Sequence, residues 1–339
     1  MKAVALVEAG KMEVIDMADP LGDEGVVVAV KAAGVCGTEL HILDGMIPAP
    51  FFPFVLGHEG AGVVVSAPQG SPVEKGDRVA IYNLWYCGEC KWCRSGREEV
   101  CSNPVGQMGF NMNGTFRDLV QVPSRNLVPL PSNVSFQEAA LLSCSGMTAI
   151  HAIRLAKVSV GDIAVVNGIG GVGLMVIQAC VAAGATVIGI ADTESRAALS
   201  REAGASNAIV LDESGYEVVA DRIRDLTGGE GAQHFFELVG TSASINAGIR
   251  GLAKHGAVVL IGYTGENINI HPIELILSEA RILSSVAATQ SDLVTAIELA
   301  SQGKMRSTID TCYSLSDAGV ALDRLRARQV MGRNLLVWD

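Results

Sequence analysis

The chain has 339 residues and a formal charge of −11, from 25 Lys and Arg against 36 Asp and Glu. With 49% hydrophobic residues and only 18% charged it can bury more than one core, which excludes a disordered chain, and its 38 glycines follow no three-residue period, which excludes collagen. An acidic chain without a basic run is a poor partner for nucleic acid or an anionic membrane.

The opening segment MKAVALVEAG meets Glu8 before any long apolar stretch forms, so it is not read as a secretory signal peptide and a cytoplasmic protein is expected. In that setting the eight cysteines stay reduced, and clustered ones point to metal before disulfide. From Met1 to about Gly146 short β-rich runs alternate with glycine and proline: Gly25-VVVAVKAAG, Gly60-AGVVVSAP, Gly76-DRVAIYN and Phe116-RDLVQVP. They suit a small, partly closed barrel. From Thr148 to Ser285 the pattern changes to strands at Ile163, Thr186, Asn207, His234 and Ala257, separated by helix-length segments at 171–183, 194–204 and 216–227. That alternation predicts an α/β domain, 148–285, built on a doubly wound parallel sheet. The 29 uncharged residues between Asp162 and Asp192 are long enough to span a bilayer. Six glycines interrupt them, so they read as strand, turn, helix and strand. Two helices, at 291–302 and 316–328, and a strand at Asn334-LLVW close the chain.

Four cysteines, Cys87, Cys90, Cys93 and Cys101, form C-x2-C-x2-C-x7-C. Four thiolates so close in sequence can complete a tetrahedral zinc shell with no place for substrate, which makes the site structural; an iron–sulfur cluster is the alternative. A second set is dispersed: Cys36 in Gly34-VCGTELH, His58 in Gly57-HEGAG and Cys144 in Leu141-LSCSGMTA. Each alone reads as ordinary packing or a surface pair. Together they offer two thiolates and an imidazole, a three-ligand set that leaves zinc an open position.

Gly168, Gly170 and Gly173 form G-x-G-x-x-G, with Gly171 and Val172 inside the turn, after one apolar strand and before an apolar helix. In that context the helix N-terminus receives a pyrophosphate. Asp192, at the end of the next strand, suits the ribose hydroxyls and repels a 2′-phosphate, so NAD is favoured over NADP; Arg196 nearby is the residue that could serve a phosphate instead.

These motifs, in this order and over essentially the whole chain, resemble the zinc-dependent medium-chain alcohol dehydrogenases. The resemblance implies a GroES-like catalytic domain from 1–147 and 286–339, with the structural zinc lobe at 87–101, around an inserted Rossmann domain. It implies two Zn2+ per chain and NAD as cofactors. Cys36, His58 and Cys144 match the catalytic zinc ligands, and Glu59 matches a carboxylate that approaches the metal during ligand exchange. Thr38 and His41 match the proton relay that runs through the nicotinamide ribose; without the resemblance Thr38 reads as a helix N-cap. Arg333, in Gly332-RNLLV, matches an arginine near the dinucleotide phosphates.

The apolar stretch Met46-IPAPFFPF supplies Ile47, Phe51, Phe52 and Phe54, and with Trp85 and Phe110 it reads either as barrel core or as a pocket for an apolar or aromatic alcohol. Asn83 stands where the family places an apolar pocket residue, which leaves room for a hydroxylated substrate. A cysteine at 144 favours simple alcohols over polyols. The expectation is a dehydrogenase of primary or secondary alcohols, working as a homodimer or homotetramer. The alternatives are a polyol or amino-alcohol dehydrogenase, and a non-catalytic NAD-binding zinc protein.

Overall fold

The computed structural model describes residues 1–20 and 25–338, and its chain divides into two compact units. The first comprises Met1–Met147 and Thr289–Asp339, the second Thr148–Ala288. The second division thus follows Ala288, where the sequence pattern places it after Ser285.

In the first unit the valine-rich strand Val26–Val35 is buried along almost its whole length because it has partners on both edges. It pairs antiparallel with Glu59–Ser66 and Leu119–Val122, and with Arg333–Val337 from the C-terminal segment. The sheet runs in the order Leu127–Pro129, Arg78–Ile81, Glu59–Ser66, Val26–Val35, Arg333–Val337, Ile309–Tyr313. A three-stranded sheet of Lys11–Asp16, Lys2–Glu8 and Phe54–Val55 meets it where the Val4 N–H donates to the Phe116 carbonyl at 2.8 Å. Phe54, Leu56, Ile81, Met108 and Phe116 fill the space between, all nearly or fully buried.

The second unit is a six-stranded, wholly parallel sheet in the order Asn207–Val210, Thr186–Ala191, Ile163–Asn167, Ala232–Glu237, Leu252–Leu260, Arg281–Ser284. Chain order reverses between Ile163–Asn167 and Ala232–Glu237, the place where ligands bind sheets of this kind. The uncharged run at 163–191 is strand, glycine turn, helix Gly171–Ala182 and strand, as its glycines predict. A different segment, the helical stretch Phe136–Ala156, is long and apolar enough to cross a membrane, yet 72% of its apolar window is buried inside the protein.

Candidate active site

Antiparallel register brings the dispersed set together. Gly34 lies opposite Glu59, and Asn334 opposite Val35. Cys36, just after one strand, His58, just before the second, and Arg333, at the start of the third, therefore meet at one end of the sheet. Cys144 arrives from above. The helix Phe136–Leu141 widens into a π-helical turn over Leu142–Gly146, and the Gly60 N–H donates to Ser143 Oγ at 3.1 Å, tying that turn to the sheet. Single π turns of this kind recur at functional sites because they re-aim a side chain. The ligand atoms of Cys36, His58, Glu59 and Cys144 lie within 4.8 Å of one another, with His58 Nε2 3.2 Å from Cys144 Sγ.

The buried carboxylate of Glu39 orders this cluster. Its Oε2 accepts the Cys36 N–H at 2.8 Å, and its Oε1 sits 2.7 Å from His58 Nδ1. A carboxylate on Nδ1 keeps a proton there and turns Nε2 toward the sulfurs, the orientation that suits a metal-ligating imidazole. Burial works against a charge on His58, but Glu39 and Cys36 together raise its pKa well above the ordinary range. The Cys36 thiol is held well below its usual value by the Cys144 hydrogen bond and, against burial, by the charge of Arg333.

Glu59 completes the wall. It is fully buried, with one oxygen 3.0 Å from Arg333 Nη2. Burial lifts its pKa to about 7 despite the arginine. Beyond this ion pair neither carboxylate oxygen has a hydrogen-bond partner, which leaves Glu59 spare acceptor capacity 3.8 Å from His58 Nε2. Gly34 makes this possible: a Cβ there would stand 1.8 Å from Glu59 Oε2.

The four-cysteine lobe is closed on itself. Its sulfur–sulfur distances are 3.8 Å for Cys87–Cys93, 3.5 Å for Cys90–Cys93, 3.9 Å for Cys90–Cys101 and 3.5 Å for Cys87–Cys101. A tetrahedron of sulfurs at the ordinary zinc–thiolate bond length has edges of about 3.8 Å, so the four thiolates fit one zinc. The Cys87 and Cys90 N–H groups point at sulfurs of the set, at 3.5 and 3.4 Å, as in loops that stabilise thiolate charge.

In the second unit Gly168 has φ +103°, and a Cβ at Gly173 would lie 2.0 Å from the Gly168 carbonyl oxygen. The turn and the close helix both require glycine. Gly170, Gly171 and Val172 lie around the start of the helix, which has no side-chain cap, so its first N–H groups face outward. Asp192 is exposed, 3.2 Å from Arg196 Nε, and Arg196 Nη1 also donates to the Ile169 carbonyl at 2.8 Å. The guanidinium is thus drawn into the turn and balanced by the aspartate.

Residues 22–132 match the family described as "Alcohol dehydrogenase GroES-like domain", and residues 171–302 match "Zinc-binding dehydrogenase". The chain is 33% identical to a protein of Sulfurisphaera tokodaii named "NAD-dependent alcohol dehydrogenase", over 99% of this chain and 100% of that one. The chain belongs to the zinc-binding alcohol dehydrogenases. An alcohol dehydrogenase of Geobacillus stearothermophilus is 30% identical over 93% of this chain and 92% of its own length. The crystal structure of the alcohol dehydrogenase from Aeropyrum pernix superposes with a TM-score of 0.91 at 29% identity, covering both chains completely.

The remaining site residues of this zinc-binding dehydrogenase are placed as follows. Cys36, and not Thr38, is the N-cap of the helix Gly37–Leu43; Thr38 Oγ1 lies 3.8 Å from Cys36 Sγ, and His41 Nδ1 is 2.8 Å from Met46 Sδ. The Phe110 ring packs edge-on against His58 with centroids 5.2 Å apart. Trp85 is half-buried, with its Nε1 lacking a partner, and Ile47 packs on the core. Phe54 is core, whereas Phe51 and Phe52 are exposed. Asn83, expected at the pocket, already has partners within the protein. It is buried, its Nδ2 donates to the His58 carbonyl at 3.0 Å, and its Oδ1 receives Gln107 at 3.4 Å. Its polarity is consumed in fixing the His58 backbone. Arg333, expected near the dinucleotide, is paired with Glu59. Glu39 is not singled out by the sequence alone; the available signal is an acid three residues after a cap position, in a short helix.

Proposed function

We propose that this zinc-binding dehydrogenase interconverts primary or secondary alcohols with aldehydes or ketones using NAD(H), and that its substrates are apolar or aromatic. The observation that carries the reading is the convergence of Cys36, His58 and Cys144 on one point, with Glu39 fixing the imidazole tautomer. A structural site needs four protein ligands; this set offers three, plus a buried carboxylate held back by Arg333. Zinc there acts as a Lewis acid that lowers the pKa of an alcohol and polarises a carbonyl.

The chain's own groups supply the rest. Cys36 and Cys144 bring two negative charges that balance the ion. Thr38, half-buried beside Cys36, would exchange a hydrogen bond with the substrate oxygen, and His41, three residues along the same helix, would carry the proton onward. Gly168 to Gly173 and the uncapped helix start receive the pyrophosphate, and Asp192 the adenosine ribose; its charge, together with the neutralised Arg196, disfavours a 2′-phosphate. Asn83 is buried with its amide turned to the His58 carbonyl, which favours simple alcohols over polyols. Phe110 gives the site an aromatic wall.

A homodimer is the proposed assembly. The outermost strand of the parallel sheet, Arg281–Ser284, is largely exposed, and Ile276, Leu277 and Ile282 beside or within it present 66%, 74% and 38% of their surface. An open edge flanked by apolar side chains suits the same edge of a second copy. The proposed activity is tested by following NADH formation over alcohols of graded length and polarity, with Cys36→Ser in parallel. Apolar alcohols are expected to turn over in the wild type and not in the variant. Failure of every alcohol, or equal rates in the two proteins, would end the proposal.

A further inference from the structure

The four-cysteine lobe is tied to the helix that backs Cys144. Glu98 lies between Cys93 and Cys101 in the short 3-10 turn Glu98–Val100, and its carbonyl accepts the Cys101 N–H at 3.0 Å. Its side chain leaves the lobe. Only 8% exposed, Glu98 accepts the Gln290 N–H on Oε1 at 2.7 Å. Gln290 is the first residue of the helix Gln290–Ser301, so a carboxylate meets a free N–H at the positive end of the helix. Further contacts brace the joint: the Tyr86 hydroxyl donates to Gln290 Oε1 at 3.4 Å, and Gln290 Nε2 donates to the Arg125 carbonyl at 2.6 Å.

Two turns along, the same helix meets the π-helical turn Leu142–Gly146. A Cβ on Gly146 would stand 3.3 Å from Ala296 Cβ, and Ala296 is fully buried. Cys144 lies in that turn. A π turn has poorer hydrogen-bond geometry than the α-helix around it and depends on its packing for its shape. The helix is therefore a lever, held at its first residue by the lobe and pressed at its middle against the turn that aims a ligand.

We propose that Glu98 is a positioning residue that couples the two metal sites: a metal closing the four-cysteine loop fixes the helix through Glu98, and the helix holds Cys144 toward Cys36 and His58. This rests on the reading that both cysteine sets hold metal. Among the described residues the lobe is shaped by the single helical turn Lys91–Arg94, the turn Glu98–Val100, the Arg97–Glu99 ion pair and four half-buried cysteines. Without a metal its thiolates repel and Glu98 has no fixed place.

The test uses the full-length protein carrying zinc in the lobe and cobalt at the Cys36/His58/Cys144 site, whose visible absorption reports its geometry. Cobalt loss to a chelator is timed, and lobe zinc is counted in the same samples. Glu98→Ala removes the acceptor. Gln290→Pro removes the donor N–H at a first-turn position where proline is tolerated, and the extended backbone of Thr289 (φ −83°, ψ 161°) suits a following proline. Each is expected to lose cobalt at least about tenfold faster than wild type, the scale of other groups that orient metal ligands from outside. The double variant is expected to be no faster than either single one. Glu98→Gln and Gln290→Ala, which keep an acceptor and the N–H, are expected to stay near wild type. Gln290→Pro leaves the lobe's own residues intact and decides the matter if Glu98→Ala sheds its lobe zinc. Wild-type cobalt retention in Gln290→Pro, or additive losses in the double variant, would overturn the coupling. A wild-type protein that takes up no cobalt at all would instead overturn the underlying metal-site reading.

Discussion

At the scale of single residues, Glu39 carries more of the site than any residue outside the ligand set. One carboxylate fixes the backbone of Cys36 and the tautomer of His58 at 2.8 and 2.7 Å, from a fully buried position. Glu39→Ala frees both and leaves the buried His58 Nδ1 without its partner. The affinity of the site for zinc is expected to fall roughly 10–100-fold, measured by chelator competition, while zinc in the four-cysteine lobe stays bound. Equal zinc affinity in the variant and wild type would show that the imidazole is oriented by something else. Asn83 makes a related point. Read along the chain it looks like a polar substitution in a pocket, because a sequence shows residue type and not which hydrogen bonds are already taken. The fold spends that amide on the His58 carbonyl.

At the scale of elements, the strands with strong β-branched runs were legible. Val26–Val35, Ile163–Asn167 and Thr186–Ala191 stand where their composition places them. Arg281–Ser284 was not, since four residues with a charged start and an exposed pattern carry no periodicity of their own and become a strand only through a neighbour. The helix Ser242–Gly251 was missed for a similar reason: serines, glycines and asparagine dilute its apolar face, and its Thr241–Ser244 capping box is the clearest local sign of it. The π turn around Cys144 has no sequence signature at all. The glycine turn was legible because its geometry demands a residue type. Gly173→Ala would put a methyl 2.0 Å from the Gly168 carbonyl oxygen, so helix or turn must move. A loss of about 1–3 kcal/mol of stability is expected, with NADH affinity, followed by fluorescence titration, at least about tenfold weaker because the helix N-terminus is displaced. Unchanged NADH binding would mean the pyrophosphate lies elsewhere.

At the scale of the whole molecule, the convergence of Cys36, His58 and Arg333 follows from strand register, with Cys144 brought to them by the π-helical turn, and separation along the chain conceals it. Motif order supplied the grouping; antiparallel pairing supplies the reason. Assembly is argued from the same sheet-level logic. If the exposed edge Arg281–Ser284 joins two copies, Ile282→Lys places two like charges across a twofold axis, and sedimentation should report a monomer where the wild type is a dimer. A wild type that sediments as a monomer would remove that assembly. The central claim is that two chemically different zinc centres share this chain, one closed and one open. Metal analysis of the purified wild type beside Cys144→Ser tests it most directly. The account predicts two zinc ions per wild-type chain and one in the variant, with the survivor held by the four-cysteine lobe. One zinc in the wild type, or two in a variant that still oxidises alcohols at the wild-type rate, would contradict it.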